Sequence, residues 1–483
     1  MNISSTNLTF RLPIVFLMLA PLINFPANAA TVELDGDIQK KQDSIFNSFS
    51  YDDMVEPMFN QPQDNVKSNY NTVLELIKKK EYKQAKAKVN TLIKDNPNQP
   101  IYYNLKALLE LQEKNLDLSE QNYKQAIKLD PKNTQAYMGL MVLALEEKQF
   151  DIAKQYANKA LELDPNNIAA LSFLARASLA NQDLAAAEKI LRQIINQEPK
   201  DVKHRVILAR LLSNQTDKEA EVLELLDQAT LNSNPPTPVL ALKTTFLIKQ
   251  KKYQQAYTIA KKIDEDNPEL SIGKILKGDV FFTEKKLEKA LSSYQQAYQI
   301  KANTKVLDII LKIFTIENKQ QEAIRFLEKE LAKNQDNVIL QFRLATLYQH
   351  LGQYESAAKY YEVLLKKQKD NTFILNNLAW IYSQINNPKA LELAEKAFKN
   401  APKSGIIADT YGYILLKNGN KKQSLEVLKQ AVAMMPNEGI IQLHLAEAYI
   451  ANQNTSQAQA ILQKLIDKDG VNKTEAIKLM KHL

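Results

Sequence analysis

The chain has no cysteine among its 483 residues, which excludes disulfides, thiolate metal ligands, a cysteine nucleophile and the thiol needed for lipid attachment. Glycine is scarce, at 10 residues, and neither a G-x-G-x-x-G nor a G-x-x-x-x-G-K-[ST] phosphate cradle occurs. No G-x-S-x-G elbow presents a serine nucleophile. The four histidines, His204, His350, His444 and His482, stand apart, and none forms an H-E-x-x-H pair that would put two ligands on one helix face. Beyond the first 25 residues no apolar run is long enough to cross a bilayer. These absences lead us to expect no enzyme activity, no cofactor and no metal site.

What is present is a regular punctuation. Pro97, Pro131, Pro165 and Pro199 recur every 34 residues, the step resumes with Pro402 and Pro436, and Ala302, Asp336, Asp370 and Gly470 hold the rhythm where proline is absent. Pro235, Pro268 and Pro402 slip the phase slightly. Proline has no amide hydrogen for the helical ladder and biases the preceding residue away from helix, so each mark ends one helix and aims the chain at the next. Small residues keep their own step: Ala85, Ala153, Ala187, Ala256, Ala290, Ala390 and Ala458 lie before the stops, and Ala175, Gly278, Gly412 and Ala446 lie earlier in their units. Small side chains at those places let two helices cross closely. No strand-like alternation runs long enough to build a sheet. The expected fold is an all-α solenoid of about twelve helix hairpins over residues 66–483, with weaker units near 201–235 and 303–336. A final helix from Asn472 to Leu483, with Ala476, Ile477, Met480 and Leu483 on one side and Lys473, Lys478 and Lys481 on the other, would cap it.

Residues 1–29 hold one charge, Arg11, then an apolar stretch from Leu12 to Phe25 and an Ala27-Asn28-Ala29 cleavage pattern, the layout of a secretory signal. A soluble periplasmic protein, exported through the Sec pathway and not lipid-anchored, is therefore expected. Residues 30–65 form an acidic leader, with Glu33, Asp35, Asp37, Asp43, Asp52, Asp53, Glu56 and Asp64 against Lys40 and Lys41. The repeats consequently carry more than the whole-chain surplus of +8. Their lysines are dispersed and often near helix C-termini, where the macrodipole favours them, so a solvated surface with a mild preference for anionic partners is expected, and no nucleic acid.

A stacked helical array binds through residues that the repeat does not need for packing. Aligning Ala379 with Gly412 puts Asn376 and Trp380 on one first helix beside Asp409 and Tyr413 on the next, because positions four apart share a face. Ser383 and Lys417 extend this wall and Glu447 joins from a third helix. We expect an aromatic row backed by a polar row, suited to an extended peptide or a sugar ring.

The strings LATLYQHLGQYESAAKYYEVLLKK (Leu344–Lys367) and LKGDVFFTEKKLEKALSSYQQAYQIK (Leu276–Lys301) resemble the tetratricopeptide repeat, a helix hairpin of 34 residues. That resemblance implies a right-handed solenoid. Between Asn371 and Leu483, the segments LNNLAWIYSQINNPKALELAEKAFKNAP, DTYGYILLKNGN and IIQLHLAEAYIANQ are similar to the C-terminal repeats of exopolysaccharide-linked tetratricopeptide proteins of the PEP-CTERM sorting system, with Asn376, Asn377, Trp380, Asp409, Thr410 and Gly412 at the matching positions. It implies an exported scaffold or adaptor that mediates protein–protein interactions in cell-envelope or exopolysaccharide assembly. Two other functions fit the same surface: escort of an acidic polysaccharide during export, and chaperoning of exported polypeptides.

Overall fold

The computed structural model describes residues 64–231, 236–468 and 472–483. The expected signal, the leader as far as residue 63, and the marks at Pro235 and Gly470 lie outside the described residues. Among those described there are 25 α-helices and no strand. They fall into two compact units, one ending at Lys301 and the other running from Ala302 to Leu483.

The first unit holds seven hairpins: α1 (Asp64–Lys78) with α2 (Tyr82–Asp95), α3 (Pro100–Gln112) with α4 (Leu116–Leu129), α5 (Thr134–Glu146) with α6 (Phe150–Leu163), α7 (Ile168–Ala180) with α8 (Leu184–Gln197), α9 (Val202–Leu212) with α10 (Glu219–Ala229), α11 (Thr237–Lys249) with α12 (Tyr253–Asp266), and α13 (Ile272–Thr283) with α14 (Leu287–Ile300). The second holds five: α15 (Thr304–Ile316) with α16 (Gln320–Lys333), α17 (Val338–His350) with α18 (Tyr354–Lys367), α19 (Thr372–Gln384) with α20 (Ala390–Asn400), α21 (Gly405–Lys417) with α22 (Lys421–Met434), and α23 (Gly439–Ala451) with α24 (Thr455–Asp467). The closing helix α25 (Lys473–Lys481) packs on α24. It buries Ala476, while Leu479 and Met480 rest on the core and Leu483, expected on the covered side, is exposed.

The two helices of a hairpin are buried differently, and the sequence shows why. First helices lie between their own partner and the neighbouring hairpins, so they are apolar nearly all round: α5 buries Ala136 and every residue from Met138 to Ala144. Second helices bury one stripe, as with Ala153, Ala157 and Ala160 on α6, and leave the rest to charge. Small residues mark the crossings: a Cβ added at Gly139 would stand 2.2 Å from the Tyr123 ring, and one at Gly412 would stand 2.6 Å from Leu428.

Two further devices repeat at the same step. Asn133, Asn167, Asp201, Asn337 and Asn371 cap first helices by accepting a backbone N–H from the first turn. The corner inside every hairpin but the fifth turns on a left-handed residue, at Lys80, Lys114, Lys148, Gln182, Lys251, Lys285, Asn318, Gly352, Asn386, Gly419 and Gln453. At Lys148 the flanking bonds run from its own N–H to Leu145 O (3.0 Å) and from Gln149 N–H to Ala144 O (2.7 Å), the Schellman pattern that satisfies the last carbonyls of a helix. The fifth hairpin lacks this corner: a short 3₁₀ turn (Thr216–Lys218) links two helices of 11 residues each. The eighth, α15 with α16, has the ordinary lengths of 13 and 14 residues and the ordinary corner at Asn318.

Candidate partner-binding site

The wall expected from sequence spans α19, α21 and α23, first helices of successive hairpins that pack on one another. Their small sites Ala379, Gly412 and Ala446 are all buried. On this frame Trp380, Ser383 and Glu447 are half-buried and Lys417 is exposed. The remaining three are inside: Asn376 and Asp409 are each 1% exposed and Tyr413 is 5% exposed. The polar members therefore do not back an open aromatic row as expected. They sit at the seam between helices, since the position three residues before the small site turns inward toward the next hairpin.

The aromatic pairing also differs. Trp380 takes Tyr354 of α18 in an edge-on contact (centroids 5.5 Å apart, 80° between planes). Tyr413 stacks instead on His444 of α23 (4.3 Å, 26°). Lys417 Nζ lies 5.4 Å from the Tyr413 ring centroid, in cation–π range. The Ser383 hydroxyl donates to the Trp380 carbonyl one turn back (2.8 Å) and so belongs to its own helix.

His444, set aside in the sequence as an isolated histidine, is the residue that organises the site. Its Nδ1 lies 2.8 Å and 3.0 Å from the two carboxylate oxygens of Asp409, joining α21 to α23 through the interior. Burial alone would lower the imidazole pKa, yet the Asp409 carboxylate outweighs burial and the net shift is upward. Glu447, one turn further along α23, is pushed up by burial and by the carboxylates of Glu475 and Asp409, against the opposing pull of His444 and Lys417. Burial, Glu447 and Asp409 together push the Tyr413 hydroxyl up.

Nearby buried polar groups are engaged with one another: Tyr361 donates to Gln349 (2.9 Å) and receives from the Asn377 amide (3.2 Å). Asn376 differs from its neighbour, because neither its amide nitrogen nor its carbonyl oxygen meets a protein partner, and the same holds for the enclosed Oε1 of Glu447. An unpaired buried group costs about 1–3 kcal/mol. What the wall keeps accessible is a carboxylate at Glu447, an ammonium at Lys417 and the indole of Trp380, with no nucleophile among them.

A second polar line, missed in the sequence because Ser172 is 32 residues from His204, lies in the first unit. Ser172 Oγ on α7 is 2.8 Å from His204 Nε2 on α9, and His204 Nδ1 is bonded to Asp201. The order matches a serine–histidine–aspartate relay, but Ser172 is inside a helix whose amides are spent on the ladder, so no pair of N–H groups faces the hydroxyl to stabilise an oxyanion. Asp201 is also the cap of α9. The line acts as a tie between the fourth hairpin and the shortened fifth.

Comparison with known proteins agrees with this architecture. One family model described as tetratricopeptide repeat matches residues 144–211, 316–381 and 415–483, and a second of the same description matches 70–134 and 115–168, together more than half the chain. Among solved structures, Naa15/Naa10 bound to HypK-THB is 17% identical, with 82% of this chain and 67% of that one aligned at a TM-score of 0.36. The APC/C hetero-tetramer Cut9–Hcn1 is 14% identical over 84% and 94% of the two chains (TM-score 0.36), and pilF of Pseudomonas aeruginosa is 16% identical over 42% and 91% (TM-score 0.36). No curated protein sequence matches the chain.

Proposed function

Because this chain belongs to the tetratricopeptide repeat family, whose members act as protein-interaction scaffolds, we propose that it is a non-catalytic scaffold that holds a protein partner against α19, α21 and α23. The observation that carries this reading is the accessible part of that wall, where the half-buried Trp380 indole and Glu447 carboxylate lie on the same three helices as the exposed Lys417. An apolar side chain of a partner would cover the indole, and charged groups of the partner would answer Glu447 and Lys417.

The secretory pattern of residues 1–29 supports export, and the likeness of the last third to exopolysaccharide-linked repeat proteins supports a place in cell-envelope or exopolysaccharide assembly. The reading therefore extends to a periplasmic adaptor. Crosslinked affinity capture of the tagged protein from its own cells, with protein and sugar analysis of one eluate, tests it. The expected result is a stoichiometric envelope protein that is lost from a Trp380→Ala, Lys417→Glu variant of unchanged helicity. Glycan without such a protein would replace the scaffold reading with polysaccharide escort, and full capture by the variant would remove the site assignment.

A further inference from the structure

The first unit carries an exposed apolar stripe at the beginning of its second helices. Leu118 (47% exposed) on α4, Phe150 (65%) and Ile152 (40%) on α6, and Leu184 (51%) on α8 stand in water. They are in register, since Leu118 and Ile152 occupy one repeat position and Phe150 and Leu184 another, so the array brings them side by side. Single exposed apolar residues are ordinary, whereas a contiguous patch marks an interaction surface. Neither cap nor core needs them: the buried stripe of α6 is Ala153, Ala157 and Ala160.

Beside the stripe is a cleft whose floor is Leu116, Leu140, Leu143 and Ile152 and whose rim carries Asp117, Glu120 and Glu147, with no cation among its lining residues. Lys124, the lysine one turn along α4, is engaged by Glu120 at 2.7 Å. In a chain with a surplus of +8 this is a local reversal of sign. An apolar floor with a carboxylate rim is complementary to aliphatic anchors flanked by positive charge.

We propose that the second-helix edge of hairpins two to four is a docking surface for a basic amphipathic helix of a partner protein. Neighbouring hairpins are set about 10 Å apart, so the stripe runs roughly 20 Å. A helix of about 14 residues covers that length, presenting leucine-like anchors at three- and four-residue spacing to the stripe and lysine or arginine to the rim carboxylates Asp117, Glu120 and Glu147. The surface lies on second helices of the first unit and shares no residue with the wall at α19, α21 and α23, so it stands or falls independently of that site.

The test uses the full chain and two synthetic helical peptides, one of leucine and lysine and one with glutamate in place of lysine, followed by fluorescence anisotropy. The leucine–lysine peptide should bind, more weakly as salt rises, and the glutamate peptide should not. The Phe150→Ser, Ile152→Ser variant should weaken binding at least about tenfold with circular dichroism unchanged. The charge-only variant Asp117→Lys, Glu147→Lys should do the same without touching an apolar group. Equal binding of both peptides, or undiminished binding to either variant, overturns the proposal. So does the absence of peptide binding, and if chain self-association is then lost in the serine variant, the occupant of the stripe is a second copy of this chain.

Discussion

The Asp409–His444 pair should make the second unit more stable in mild acid than in mild base. His444 is held above its ordinary value of 6.5, so the folded chain binds its proton more tightly than the unfolded chain does. For a group raised in this way the extra stability is fully present below the unfolded pKa and is lost as pH rises through the folded one. Glu447 is also raised above its ordinary 4.5, and its contribution has the same sign at lower pH. Replacing Asp409 by Asn removes the main charge that offsets burial, leaving an imidazole pushed down by burial and Lys417 and pulled up only by Glu447. Removing one partner of a buried ion pair costs about 3–5 kcal/mol, because the other charge is stranded or must be neutralised. Asp409→Asn should therefore lower the unfolding free energy by that order, and His444→Gln on the same background should add less than it does alone. The assay is built into the chain: its single tryptophan is Trp380, which lies in this unit and packs on Tyr354, so urea denaturation followed by fluorescence reads this region directly. Titrating from pH 5.5 to 8.5, the wild type should lose stability with rising pH and Asp409→Asn should show a flatter profile. A wild-type stability that rises over this interval, or a variant as stable as the parent at pH 6, would refute the pairing as the controlling interaction.

Three other perturbations follow from the repeat geometry. Lys148 is left-handed with φ of 60°, a conformation that costs a side-chain-bearing residue about 1–2 kcal/mol, while glycine gives back part of the gain through its freer unfolded state, so Lys148→Gly should stabilise the first unit by roughly 0.5–1 kcal/mol in chemical denaturation. An unchanged midpoint would mean that the lysine is not strained there. Gly139→Ala should do the opposite, since its Cβ would lie 2.2 Å from the buried Tyr123 ring, at about 1–3 kcal/mol for overpacking, and thermal melting of the variant checks it. Asp279 is fully enclosed, accepts the Tyr294 hydroxyl at 2.6 Å, and is raised well above the usual carboxylate range by burial, so its stabilising effect is present below its unfolded value and is lost as pH climbs through the folded one. Asp279→Asn keeps the acceptor and removes the titration. The variant should match or exceed wild-type stability at neutral pH with a weaker pH dependence, and a loss above about 1 kcal/mol would show that the carboxylate is held charged.

The fold was legible because the features that fix it are local and repeat. Pro97, Pro131, Pro165 and Pro199 punctuate the ends of second helices, and Ala85, Ala153, Ala187, Ala256, Ala290 and Ala458 are all fully buried where the helices cross. The corners inside the hairpins were not legible. Glycine, the residue that normally announces a left-handed corner, occupies it only at Gly352 and Gly419, and elsewhere lysine, glutamine or asparagine accepts the strain because the closing hydrogen bonds and the packing of both helices outweigh it. Absence of glycine thus hid the most regular turn in the molecule.

The proposed wall was half legible for a different reason. Helical spacing gives the face on which a residue stands, and Trp380, Lys417 and Glu447 do keep exposure there. Depth depends on the neighbouring hairpin, about 34 residues away, and spacing within one helix does not contain it. Asp409 and Tyr413 went inward because His444, two residues before the small site Ala446 and not three, brings a ring and a charge to meet them. The same blindness concealed Ser172 with His204, which meet only through stacking of successive hairpins, whereas Asp201 reaches His204 from the start of the same helix. In this array the packing residues are specified within a unit, and these buried polar contacts between units. A single isolated histidine should therefore be compared with the polar residues one period before it, and His444 with Asp409, like His204 with Ser172, would have been found by that comparison.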